Sequence, residues 1–157
     1  MDKEQRLERA GHEIRYQEKV GGMLLDAFAQ NNPRTAYVYK KSEKLSIALY
    51  LVTSYIGNGE KLKVSLRERA LDLLTSALSL NNGGGSQERI HTMRSCLFEI
   101  VSLLHVSYAA SYISEMNFSV LSQELLQLAR FLEHEHEGTS PVEQSLNADF
   151  FSVDLLS

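Results

Sequence analysis

An all-α fold, an up-down-up-down four-helix bundle with an additional N-terminal helix and an acidic C-terminal tail, is predicted by three observations. Apolar residues recur at three- and four-residue spacing through most of the chain, the period of one helix face. Strand-like alternation is scarce and only two prolines interrupt the pattern. Short turn-forming stretches, Gly57-Asn58-Gly59 and Asn81 to Gly85, separate the periodic segments, as expected of antiparallel neighbours.

The first segment carries Leu7, Ala10, Ile14, Leu24, Ala27 and Phe28 at helical spacing. Gly21-Gly22 interrupts it, and each glycine costs about 1 kcal/mol relative to alanine in a helix. The segment is therefore one bent helix or two short ones. Its polar first half is either an arm that packs on a partner or the exposed face of an added helix.

Asn32-Pro33 starts the next helix. Asn can cap free amides, and Pro fits a first turn where its missing N–H costs nothing. Leu45, Ala48, Leu49, Val52, Tyr55 and Ile56 form the expected buried stripe, with Gly57 in the left-handed position past the helix end. A second stripe follows in Leu62, Leu66, Ala70, Leu73, Leu74, Ala77 and Leu78.

After the glycine-rich loop, Ser86 is the expected cap of a third helix. Its stripe is Ile90, Met93, Leu97, Ile100, Leu104 and Tyr108, widened by Val101 and Leu103, and it is predicted to run to about Ser114. Asn117 is the expected cap of the last helix, with Leu121, Leu125, Leu128, Ala129 and Leu132 inward and a stop near Gly138, before Thr139-Ser140-Pro141. This divides the chain into an N-terminal helical segment, 1–31, a bundle, 32–138, and an acidic-hydrophobic tail, 139–157.

A chain of 157 residues, 43% hydrophobic and 23% charged, has the size and composition of one soluble domain with a real core. It holds no run of about 18 apolar residues, so no membrane-spanning helix is expected. The charged N-terminus lacks the apolar stretch of a signal peptide, and the lone Cys96 fits a reducing compartment. The expected location is the cytoplasm.

Motifs for catalysis or phosphate cradling are absent: there is no GxSxG, HExxH or GxxxxGK[ST]. Neither a cofactor, a metal nor a small-molecule substrate is expected, and the chain is predicted not to be an enzyme. In Glu133-His134-Glu135-His136-Glu137 the two histidines stand about 200° apart on a helix and cannot share one ion. Glu88 and His91 have ligand spacing but stand alone, whereas a di-metal bundle core needs paired Glu-x-x-His motifs. His105 reads as a core-edge residue, and Cys96 as an inert, half-buried thiol.

Charge is the most suggestive feature. The net charge is −4, yet residues 34–69 hold eight Lys/Arg against three Asp/Glu, a net of +5, while 70–157 hold three against eleven, a net of −8. Lys40, Lys41 and Lys44 cluster early in the first bundle helix, and Lys61, Lys63, Arg67 and Arg69 in the second. Such side chains bind phosphate backbones, so these seven are the candidate nucleic-acid contacts; the interleaved Glu43, Glu60 and Glu68 equally suit a solvated ion-paired face. In the tail, Phe150, Phe151, Leu155 and Leu156 alternate with Asp149 and Asp154. They are candidate anchors for a partner, or for the bundle's own basic end.

The run Tyr39, Lys40, Lys41, Ser42, Glu43, Lys44 and Leu45, followed by RERALDLL at 67–74, resembles four-helix-bundle proteins of the 23S ribosomal RNA intervening-sequence type. That group includes the accessory variability determinant of diversity-generating retroelements. The resemblance covers roughly residues 35–135 and implies a small, self-associating bundle that works with a reverse transcriptase and RNA or DNA. The chain departs from the group in its acidic balance, its N-terminal segment and its tail. The expected function is therefore a non-enzymatic, homo-oligomeric helical adaptor for nucleic acid or a nucleic-acid enzyme. The alternative is a protein-binding scaffold bundle with no nucleic-acid affinity.

Overall fold

The computed structural model describes residues 2–81 and 86–134, and within them the fold is all-helical. Five α-helices appear in order: α1 (Lys3–Asn31), α2 (Pro33–Val52), α3 (Lys61–Ser79), α4 (Ser86–Ala109) and α5 (Glu115–Glu133), with a 3-10 turn at Thr53–Tyr55 after α2. Gly21-Gly22 does not divide α1, which is one helix.

Asn32 caps α2 as its chemistry suggests: its side chain accepts from the Arg34 amide, and Pro33 occupies the first turn. The end of α2 differs from expectation. The Thr53 hydroxyl donates to the carbonyl of Leu49 at 2.7 Å, and the backbone tightens into the 3-10 turn. That changes the angular step per residue, so Tyr55 leaves the buried stripe and is 93% exposed, while Ile56 re-enters the core. Gly57 does not adopt the left-handed conformation. The turn ends instead in extended backbone at Ile56.

Two further boundaries shift. The α4 helix ends at Ala109, five residues early, where Ser111 takes a left-handed φ of 62°. The cap of α5 is Ser114, whose hydroxyl accepts from the Asn117 amide at 3.2 Å; Asn117 is inside the first turn. Leu78 and Tyr108, both expected inward, are exposed. The Tyr108 ring instead stacks on Phe118, with centroids 5.1 Å apart.

The main core is a cluster contributed by α2 to α5, beside a small second one of Ala36 and Tyr39 against Leu74. Leu45, Leu49, Leu66, Leu73, Met93, Leu97, Ile100, Leu104, Leu125, Leu128 and Leu132 are fully buried in it. Consecutive helices pack on one another, and α5 packs back on α2. Polar contacts fix the register of each pair. Ser46 donates to the Ala70 carbonyl, and Lys63 reaches back to that of Ile56. Arg89 at the start of α4 donates to the Ser79 carbonyl at the end of α3, and Arg94 pairs with Glu133 at the end of α5. Tyr37, early in α2, meets Phe131, late in α5, with ring centroids 4.5 Å apart.

Candidate interaction surfaces

The seven cations singled out in the sequence fall into three environments. Lys41 and Lys63 are turned inward. Lys41 is ion-paired with Glu124 across the α2–α5 contact, while Lys63 donates to the Ile56 carbonyl and to Asn58 Oδ1, both at 2.9 Å, closing the turn between α2 and α3. Arg67 and Arg69 are half-buried and hold helices together. Arg67 lies 4.7 Å over the Tyr50 ring and donates to Thr53 Oγ1 and to the Tyr50 carbonyl. Arg69 bridges Asp72 and Glu99, tying α3 to α4.

Lys40 and Lys44 are half-buried on α2, and Lys61 is exposed. Lys40 pairs with Glu43 at 2.9 Å, and Tyr39 donates to the same carboxylate. Burial of the Tyr39 ring and this bond push its phenol up to about 12. The Lys44 ammonium is held below its ordinary value by partial burial and then by the neighbouring Lys40 and Lys41 charges. Three ammonium groups thus crowd the middle of α2. Lys61, exposed at the start of α3, has no ion-pair partner among the described residues. The seven positions therefore do not form one continuous cationic face.

Between α3 and α4 a groove of about 420 Å³ is lined by Arg69, Asp72, His91, Ser95, Cys96 and Glu99. Cys96 is buried at its floor, where it lies 3.4 Å from the Arg69 carbonyl. Burial, then Asp72 and Glu99, push its thiol up to about 11 against the opposing pull of Arg69. A thiol so protonated at neutral pH is a poor nucleophile. His105 is exposed and stacks against Phe118 with centroids 5.6 Å apart. Among the described residues no three His, Cys, Asp or Glu side chains converge as metal ligands, and no helix is long and apolar enough to cross a membrane. Glu135, His136 and Glu137 lie outside the described residues, as do the tail anchors Phe150, Phe151, Leu155 and Leu156.

Two apolar surfaces stand out, of which sequence reasoning offered the first half of α1 as a partner arm and did not mark the second. Along α1, Leu7, Tyr16, Val20 and Met23 are exposed, and every described side chain of the helix faces solvent. On the outer side of the α2–α3 contact, Ile47, Leu51, Val64 and Leu71 are also exposed. Their signal was present in the sequence as a second apolar stripe beside the buried one. Comparison of the chain with protein-family models, with curated proteins and with solved structures gives no match.

Proposed function

We propose that the chain is a non-enzymatic helical adaptor that self-associates: an up-down-up-down four-helix bundle, α2 to α5, from which α1 extends as an association arm. The observation that carries this reading is the exposure of the described side chains of α1. A helix of 29 residues is about 43 Å long at 1.5 Å per residue. Helices in water owe most of their stability to packing an apolar face. Here Tyr16, Val20 and Met23, which share one side of the helix at 100° per residue, have no such cover among the described residues, and a second copy supplies it.

The test is light scattering of the parent chain beside Tyr16→Glu/Val20→Glu/Met23→Glu. The reading predicts an oligomeric parent and a monomeric variant with an unchanged core melting transition. A parent that is monomeric throughout the micromolar range overturns it.

A second reading, affinity for RNA, DNA or an enzyme acting on them, draws support from exposed Lys61, from half-buried Lys40 and Lys44 on α2 and from the sequence resemblance. Clustered Lys side chains are the electrostatic footprint of a phosphate-binding site. Fluorescence anisotropy with labelled single-stranded RNA tests it. Binding should weaken as salt rises and be lost in Lys40→Glu/Lys44→Glu/Lys61→Glu; absence of binding at low salt removes this reading and leaves a purely protein-binding scaffold.

A further inference from the structure

The outer α2–α3 surface has a defined shape. Its register is set by Ser46 Oγ donating to the Ala70 carbonyl at 2.8 Å, and by Arg67 donating to that of Tyr50 at 3.1 Å. Higher positions on α2 thus face lower positions on α3. Ile47 and Leu71 each follow a member of the Ser46–Ala70 pair by one position. In helices running in opposite directions, that single step of about 100° turns both side chains to the same side, away from the core that Leu45 and Leu73 fill. Leu51 lies one turn further along α2 and Val64 two turns back along α3. Ile47 is 53% exposed, Leu51 45%, Val64 47% and Leu71 52%.

The Arg67–Tyr50 stack forms the floor between these residues. Lys40 and Lys44 continue the α2 side of the strip at seven and three positions before Ile47, and Lys61 precedes Val64 by three. The strip has apolar residues at its centre, with exposed Glu68 between Val64 and Leu71, and lysines toward both ends, where Lys40 also pairs with Glu43.

We propose that the chain's own C-terminal segment, 149–156, covers this strip, with Phe150, Phe151, Leu155 and Leu156 on the apolar centre and Asp149 and Asp154 toward the lysines. Charge complementarity selects the segment: residues 135–157 contain five Asp/Glu and no Lys or Arg. Its pattern matches the surface, two apolar pairs each preceded by an acid.

Length and starting point also fit. The end of α5 lies beside the start of α2, as the Tyr37–Phe131 contact fixes, and Lys40 is only three positions beyond Tyr37. The sixteen steps along the chain from His134 to Phe150 span up to about 50 Å when extended. Other exposed apolar residues, Val106, Met116 and Val120, lie on the last turns of α4 and the first turns of α5. That is the end of α5 remote from His134, and Glu115 there repels an acidic segment.

The test uses the full chain with Ser152→Cys carrying a polarity-sensitive fluorophore, because buried Cys96 leaves the new thiol as the reactive one. The expected result is blue-shifted emission that moves to the value of the urea-unfolded chain in Ile47→Glu/Leu71→Glu. The shift should shrink in Lys40→Glu/Lys44→Glu, persist in Val106→Glu, and stay constant on dilution. Circular dichroism melting checks that each variant remains folded; if the first does not, Ile47→Ser/Leu71→Ser replaces it. Emission already at the unfolded value in the parent overturns the proposal, as does a blue shift that survives both strip variants. A shift lost on dilution also overturns it, since the strip then holds another copy's segment.

Discussion

Lys41 of α2 and Glu124 of α5 form an ion pair whose side chains are 5% and 21% exposed, 83 positions apart in sequence. The pair closes the contact between the first and last helices of the core. Coulomb attraction scarcely offsets the desolvation of two buried charges, but removing one partner strands the other in a poorly solvated place. Lys41→Ala should therefore leave the less buried carboxylate without this partner and cost about 2 kcal/mol, whereas Glu124→Gln removes the counter-charge of the deeper ammonium and should cost about 3 kcal/mol. Replacing both, as Lys41→Met/Glu124→Leu, should recover most of the loss. Urea unfolding of the three variants measures this ordering.

Ser42, next to Lys41, is fully buried, and its hydroxyl makes no hydrogen bond among the described residues. A hydroxyl desolvated without a partner is a net cost, and alanine also has the better helix propensity. Ser42→Ala should raise stability by about 1 kcal/mol, read as a higher urea midpoint with unchanged slope.

Cys96 should react with a thiol reagent at neutral pH only as fast as the core opens, since burial both shields it and holds it protonated, with its thiol pushed up to about 11. Labelling in mild urea should accelerate in step with unfolding monitored by circular dichroism.

Glu60 caps α3 by accepting from the Leu62 amide, and it also accepts from the Tyr112 hydroxyl at 2.9 Å, linking the turn after α4 to the start of α3. These bonds, Tyr112 first, hold its carboxyl below the ordinary 4.5. A carboxyl lowered on folding contributes stability that is present above the unfolded value and is lost as pH falls through the folded one. Tyr112→Phe should thus be slightly less stable than the parent at neutral pH, and the gap in melting temperature should close on acidification below 4.5.

The helical architecture was legible because buried stripes such as Leu45, Leu49 and Val52, or Leu121, Leu125, Leu128 and Leu132, repeat with the helix period. Asn32-Pro33 marked a helix start for the same local reason. Errors arose where a polar side chain rewrote the backbone. The Thr53 hydroxyl on the Leu49 carbonyl makes the 3-10 turn that rotates Tyr55 outward, and Ser111 ends α4 in a conformation usually left to glycine. The cations were visible, but their partners were not. Glu124 lies 83 positions from Lys41, and the Ile56 carbonyl that receives Lys63 exists as an acceptor only once the turn has formed. The exposed strip of Ile47, Leu51, Val64 and Leu71 was hidden by its neighbours, because helices apolar on more than one side do not declare which side faces the core.

The most direct test of self-association through α1 is amide hydrogen exchange along that helix as a function of protein concentration. An arm covered by a second copy exchanges slowly, and its protection between Lys3 and Met23 rises with concentration while that of α2 to α5 stays fixed. Exchange in α1 at the rate of an unstructured peptide at every concentration, beside a protected core, would contradict the account.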